Sequence, residues 1–183
     1  MNMWGYDDKD RFRINQPTLK DRIMSFLNFT NGKGGVVIQQ NVEDAKAGVW
    51  EKVYNDQDIK PFIKKGLVGF EAKGGQGAKP GMGGEVKVDR EQALRLKELY
   101  HFPVDPMEIE LQQYQRHSVP GTLTSESFAN LIKETKGKYP EIKLWFKTGP
   151  YKDVSEQIEI AIENGVDAVT VDGSEGGTGM SPS

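Results

Sequence analysis

Apolar residues recur at helical spacing at Leu19, Ile23, Phe26 and Leu27, which predicts a helix over 18–28. Thr18, with Asp21 three residues on, has the pattern of a capping box that opens it. The cluster Asn31-Gly32-Lys33-Gly34-Gly35 breaks this helix. The β-branched run Val36-Val37-Ile38, followed by Gln39-Gln40, then predicts a buried strand. Residues 41–66 are mixed, with one helix expected around Ile59 to Lys65.

Leu67 to Glu71 reads as a second strand and runs directly into a segment, Lys73 to Gly84, whose glycines and proline predict neither helix nor ladder. Ala93, Leu96, Leu99 and Tyr100 mark an amphipathic helix that Pro103 and Pro106 close. Met107 to Leu111 is expected as a short third strand, and Arg116 to Gly121 as a loop. Thr122 or Thr124 can cap a helix with Phe128, Leu131 and Ile132 on one face. Ile142 to Lys147 is a strand bounded by Pro140 and Gly149.

Asp153 with Glu156 resembles a second capping box, Val154, Ile158, Ala161 and Ile162 form the stripe behind it, and Gly165 after Asn164 is a left-handed stop. Ala168 to Asp172 is another strand. Strand, capped helix, strand at this spacing is a βαβ unit and implies a parallel sheet. The repeated alternation predicts an α/β fold, barrel or doubly wound, with about five strands. A closed barrel takes roughly eight βα units and ~250 residues.

Composition bounds the chemistry. At 183 residues, with 36% hydrophobic and 28% charged positions, the chain can bury roughly 70% of its unfolded surface and needs no disulfide or metal staple. With no cysteine it offers no thiolate metal site, no ligand for an iron–sulfur cluster and no cysteine nucleophile. Twenty-four Lys and Arg stand against 27 Asp and Glu, a net charge of −3. No basic field points to nucleic acid or anionic lipid. No apolar run approaches the ~18 residues of a membrane span. The polar opening MNMWGYDDKDRFR has no secretory pattern, so a cytoplasmic, non-membrane protein is the expectation.

Glycine is the outlier, 21 residues gathered mainly in three clusters. The last, Gly173-Ser174-Glu175-Gly176-Gly177-Thr178-Gly179, follows a strand, where backbone N–H groups can form a nest for phosphate. It can also be a tight surface turn, and the pattern does not say which phosphate. In the 73–84 block, Lys73, Gln76 and Lys79 supply two cations and an amide, a set that suits a dicarboxylate, a keto acid or a flavin edge; a solvated basic loop fits the same residues. Lys147, at a strand end, can hold negative charge on a reduced cofactor or simply be solvated. His101 and His117 read as isolated satisfied or surface residues, Lys133 to Lys136 as a solvated helix end, and Trp145 and Phe146 as core. No metal site is expected.

Four blocks taken together carry a resemblance. They are Lys-Gly-Gly-Gln-Gly-Ala-Lys-Pro-Gly-Met-Gly-Gly at 73–84, Arg116-His117, Phe146-Lys147, and Val-Asp-Gly-Ser-Glu-Gly-Gly-Thr-Gly-Met-Ser-Pro at 171–182. In this order they resemble the FMN-binding domain of glutamate synthase and its stand-alone relatives, over roughly residues 31–183. The resemblance implies a TIM-like barrel holding FMN, in which 2-oxoglutarate and ammonia form 2-iminoglutarate and reduced FMN converts it to glutamate. It implies electrons from ferredoxin or a nicotinamide-dependent flavoprotein through an iron–sulfur cluster, and a glutaminase as ammonia source.

Carried over by residue, Gly176, Gly177, Thr178 and Gly179 hold the FMN phosphate, and Asp172 and Gly173 lead into that block. Lys147 faces the flavin N1–O2 edge, and Lys73, Gln76 and Lys79 line the flavin and 2-oxoglutarate pocket as the catalytic set. The family's cluster cysteines have no counterpart, Gln112 to Gln115 replaces a Ser-Pro pair before Arg116, and Arg95 is one position out of register and unassigned. The expectation is therefore a partial barrel, incomplete at both ends, over 31–183 behind an N-terminal extension, 1–30, with a short helix. Two alternatives are a catalytically incompetent fragment or split-barrel subunit that needs a partner for the missing half, and a different FMN- or phosphate-binding barrel protein.

Overall fold

The structure is a computed structural model and describes residues 17–76, 79–80, 86–118 and 124–173. In chain order the elements are α1 (Leu19–Thr30), β1 (Val36–Gln39), α2 (Val42–Lys46), α3 (Val49–Asn55), α4 (Lys60–Lys64), β2 (Val68–Lys73), β3 (Gly75–Gln76), β4 (Lys79–Pro80) and β5 (Val86–Val88). They continue with α5 (Arg90–Leu96), β6 (Tyr100–His101), β7 (Tyr114–Ser118), α6 (Ser125–Lys138), β8 (Lys143–Thr148), α7 (Val154–Glu163) and β9 (Ala168–Val171). The fold is mixed α/β, with a four-stranded parallel sheet in the order β1-β2-β8-β9. In its first pair Val36 lies opposite Val68 and Gln39 opposite Glu71. The βαβ unit read at 142–172 is present as β8-α7-β9. Among the described residues, no helix is long and apolar enough to cross a membrane.

The chain divides into two compact units, the first of Met1–Ala72, Asn130–Trp145 and Ile162–Ala168, the second of Lys73–Ala129, Phe146–Ala161 and Val169–Ser183. In the first, the predicted capping box closes α1. Thr18 and Asp21 exchange main-chain and side-chain hydrogen bonds, and Asn31 ends the helix in the left-handed conformation. One face of the sheet is buried through Ile38, Val68, Phe70 and Leu144. Trp50 stacks on Phe70 at 4.7 Å between centroids, Tyr139 meets Phe70 edge-on at 5.2 Å, and the Trp50 indole N–H donates to Ile38 O at 3.0 Å. Burying each such aromatic is worth about 1.5–3 kcal/mol. Residues 41–66, read as mixed with one helix, form three. α2 opens on an Asn41–Asp44 capping box, and α3 buries Val49, Trp50 and Val53.

The second unit holds a three-stranded antiparallel sheet, β5-β7-β6, over Val88, Ala93 and Tyr114. Residues 107–111 are not a strand, because Asp105 takes their N–H groups: its side chain accepts from Met107, its carbonyl from Glu108 and Ile109. The Tyr114 hydroxyl then donates to Ile109 O and accepts from Leu111 N–H. A strand instead runs Tyr114–Ser118, overlapping the expected loop at 116–118, and it pairs antiparallel; among the described residues the parallel sheet has four strands.

α5 stops at Leu96, and Tyr100 belongs to β6. The 73–84 block carries a two-residue antiparallel ladder, β3 with β4. At α7, Glu156 accepts from Ser125 Oγ, while Gln157 reaches back to Asp153 through both its main chain and its side chain. Gly165 follows this helix at φ +93°.

Lys136 is not merely a solvated helix end. Its ammonium and that of Lys143 lie 2.9 Å from the two carboxylate oxygens of Asp167, which also accepts from Leu144 N–H at 2.9 Å. This joins α6, the start of β8 and the entry to β9 within the first unit. Burial pushes the Asp167 carboxyl upward, but the Leu144 N–H and the two lysines outweigh it and hold it at about 2. A carboxyl lowered from 3.8 contributes stability that is complete above about pH 4 and is lost as pH falls through 2. Asp167→Asn should therefore cost about 1–2 kcal/mol at pH 7 in chemical denaturation. That difference should shrink between pH 4 and pH 2, and a difference that stays constant over this range would remove Asp167 from the role.

Candidate functional site

In parallel α/β sheets, ligands bind outside the carboxyl ends of the strands. Those of β2, β8 and β9 carry Lys73, Lys147 and the Asp172-Gly173 pair, all in the second unit. Consecutive carbonyls of a strand point to opposite sides, and here both are used. Lys147 O accepts from Gly74 N–H at 2.8 Å, and Thr148 O accepts from Asp172 N–H at 2.8 Å. The starts of both glycine blocks are thereby fastened to adjacent residues of β8.

The side chains around this point are ordered by packing. Phe146 is buried and lies 4.6 Å, ring to ring, from Phe128. A Cβ at Gly74 would meet the Phe146 ring at 2.8 Å, so only glycine lets the loop leave β2 this close to β8. Thr148 is fully buried and donates from Oγ1 to Gln157 Oε1 at 2.7 Å, tying the strand end to the first turns of α7. Lys147 stays half-buried, its ammonium 3.2 Å from an Asp172 carboxylate oxygen.

The predicted site residues are thus partly assembled. Lys147 and Asp172 touch, Gly173 follows in the chain, and Lys73 directly precedes the tethered Gly74 and is exposed. Gln76 and Lys79 are register partners in the β3–β4 ladder, which brings their main chains side by side; their side chains lie outside the description. Gly176, Gly177, Thr178 and Gly179 lie outside the described residues, as does Thr122. His101 and His117, read as isolated, are cross-strand partners of β6 and β7. The run Tyr-Gln-Arg-His-Ser at 114–118 has no apolar alternation, so no strand signal was present there. Arg116, left without a role, stacks its guanidinium on the Tyr100 ring at 3.9 Å.

A cavity of about 440 Å³ lies at the amino ends of the strands in the first unit, lined by Gly35, Val37, Lys143, Trp145 and Asp167 among others. Trp145 is accordingly half-buried there rather than in the core. Its charged groups are already matched through Asp167. At the carboxyl ends, by contrast, a half-buried ammonium beside two tethered glycine loops suits an anionic or electron-rich ligand edge. A flavin would need a cation near its N1–O2 edge, for which Lys147 is suited, while the main-chain N–H groups for its phosphate would come from residues outside the described ones.

Comparison with protein-family models, curated proteins and solved structures finds no match to this chain.

Gly74→Ala should destabilise the chain by about 1–3 kcal/mol, because the Phe146 ring is held by Phe128 and cannot yield without repacking. Adding Phe146→Leu should recover part of that loss, so that the double variant is more stable than the sum of the two singles. Strict additivity in urea denaturation would mean that the methyl and the ring do not meet.

Proposed function

We propose that the chain is the FMN-binding part of a glutamate synthase-type (β/α) barrel, which reductively aminates 2-oxoglutarate to glutamate. The observation that carries this reading is the joint tethering of both glycine blocks to Phe146-Lys147-Thr148. A shared attachment at one strand end is what a ligand spanning a phosphate nest and a second, basic loop requires, and the order of the blocks is that of the family it resembles. The four-stranded parallel sheet is compatible with one sector of such a barrel.

FMN would supply the hydride that reduces the carbon–nitrogen double bond. The chain's own residues bind and polarise. Gly176, Gly177, Thr178 and Gly179 offer main-chain N–H groups to the phosphate. Lys147 sets a positive charge at the N1–O2 edge, where reduction places negative charge. Lys73 and Lys79 supply cations for the substrate carboxylates, and Gln76 an amide that donates and accepts. Electron donor and ammonia source would be partner proteins of the kinds named for the family.

A second reading is favoured by one specific observation. Val37 on β1 and Val171 on β9, the outer strands of the described sheet, are 40% and 48% exposed. Apolar side chains on outer parallel strands call for further cover, so the sheet would be completed by a barrel half from another segment or chain. FMN binding would then depend on that half.

Titration of the purified chain with FMN, followed by quenching of flavin fluorescence, should give one site per chain. Gly177→Val should abolish it by filling the phosphate nest. Lys147→Ala should leave oxidised FMN bound within about threefold, a change of under 1 kcal/mol, while lowering the flavin midpoint potential. Absence of binding by the intact chain sinks the first reading, and binding restored by an added barrel half selects the second.

A further inference from the structure

We propose that Asp172 acts on the ligand through Lys147: its carboxylate holds, in the ligand-free chain, the place beside the ammonium that a ligand's anionic or electron-rich edge takes on binding. The ion pair is an exchange contact, and Asp172 is a positioning residue. The inference rests on the reading above only for the ligand's identity.

Three observations carry it. The main chains of both residues are pinned, Lys147 by Gly74 and Asp172 by Thr148, so a change of partner needs only side-chain rotation. The two side chains differ in burial, Lys147 being 19% exposed and Asp172 34%. A half-buried ammonium without a counter-charge is costly, whereas a carboxylate already facing water can withdraw into it cheaply. The third observation is a contrast at the other end of β9. Asp167 is saturated by Leu144 N–H and two lysines, the arrangement of a structural clip. Asp172 meets Lys147 at the longer distance of 3.2 Å, and among the described residues its carboxylate has no set of donors like that around Asp167.

A carboxylate at this position opposes an incoming anion unless the ammonium is handed over. Asp172 therefore sets affinity and keeps Lys147 in place when nothing is bound. The experiment uses the full chain, reductive methylation of lysine amines read by peptide mass spectrometry, and FMN and inorganic phosphate as probes. Asp172→Asn should raise modification of Lys147 about threefold and leave Lys143, which is held by Asp167, unchanged. It should also tighten FMN about two- to fivefold, the size of a partly exposed ion pair. That gain should vanish in a Lys147→Met background, which a purely structural role would not produce. Asp172→Ser serves as the second neutral variant should the first fail to fold.

Unchanged Lys147 modification, weaker FMN binding in both neutral variants, or an equal gain in the Lys147→Met background would each overturn the exchange. If phosphate protects Lys147 in the neutral variants and FMN does not, the flavin reading fails and the exchange stands. If neither probe protects Lys147 in any variant, the exchange is wrong.

Discussion

The carboxyl end of β8 is the constraint on which the candidate site depends. A strand with neighbours on both sides offers its carbonyls alternately left and right. In the order β1-β2-β8-β9, that alternation gives Lys147 O to the β2 side and Thr148 O to the β9 side. The two glycine blocks, about a hundred residues apart in sequence, therefore begin at adjacent residues of one strand. The position depends on the register of β8, and the register is held by burial of Leu144, Phe146 and Thr148 on a single face. A slip of one residue would bury Lys147 and expose Phe146, a loss of core burial joined to the cost of desolvating a charge.

Electrostatics reinforces the same strand at both ends with different chemistry. Lys143 and Lys147 sit near its two ends, and Asp167 and Asp172 flank β9. The first pairing includes a main-chain donor and a second lysine, so its carboxylate is satisfied from three directions and its proton affinity falls accordingly. Such a group is part of the frame. The second pairing, at the carboxyl ends of the strands, joins one lysine to one carboxylate among the described residues. The difference lies in the number of donors around each carboxylate, and residue type alone does not reveal it.

Much of this was legible in the sequence because it is local. The α1 capping box, the strands at Val36 and Val68, and the βαβ unit ending at Val171 follow from period and end signals within a dozen residues. What escaped reading was decided by contacts between distant residues. The alternation at Met107 to Leu111 is that of a strand, yet Asp105 and Tyr114 take the hydrogen bonds a ladder would need. α2 and α3 are too short for period alone to show them, although Asn41 with Asp44 and the trio Val49, Trp50 and Val53 were usable signals. Nothing in the spacing of Gly74 and Phe146 or of Lys147 and Asp172 says that they meet. Chain topology brings them together.

Beyond the positive-φ positions such as Gly165, glycine here answers two different kinds of close approach. At Gly35 a Cβ would lie 2.5 Å from the Leu67 carbonyl oxygen, so glycine there lets the chain enter β1 beside β2. That is main chain packed on main chain, at the amino ends of the strands, and it serves the sheet. At Gly74 the obstacle is a side chain, the Phe146 ring, at the carboxyl ends, where the loop must turn close to Lys147. Glycine at the first position implies nothing about a ligand, while glycine at the second shapes the approach to a half-buried cation. Counting glycines cannot separate these cases, but the end of the strand at which each one sits does. By that criterion Gly74 belongs with Lys147 at the carboxyl ends, and Gly35 belongs to the packing of the sheet.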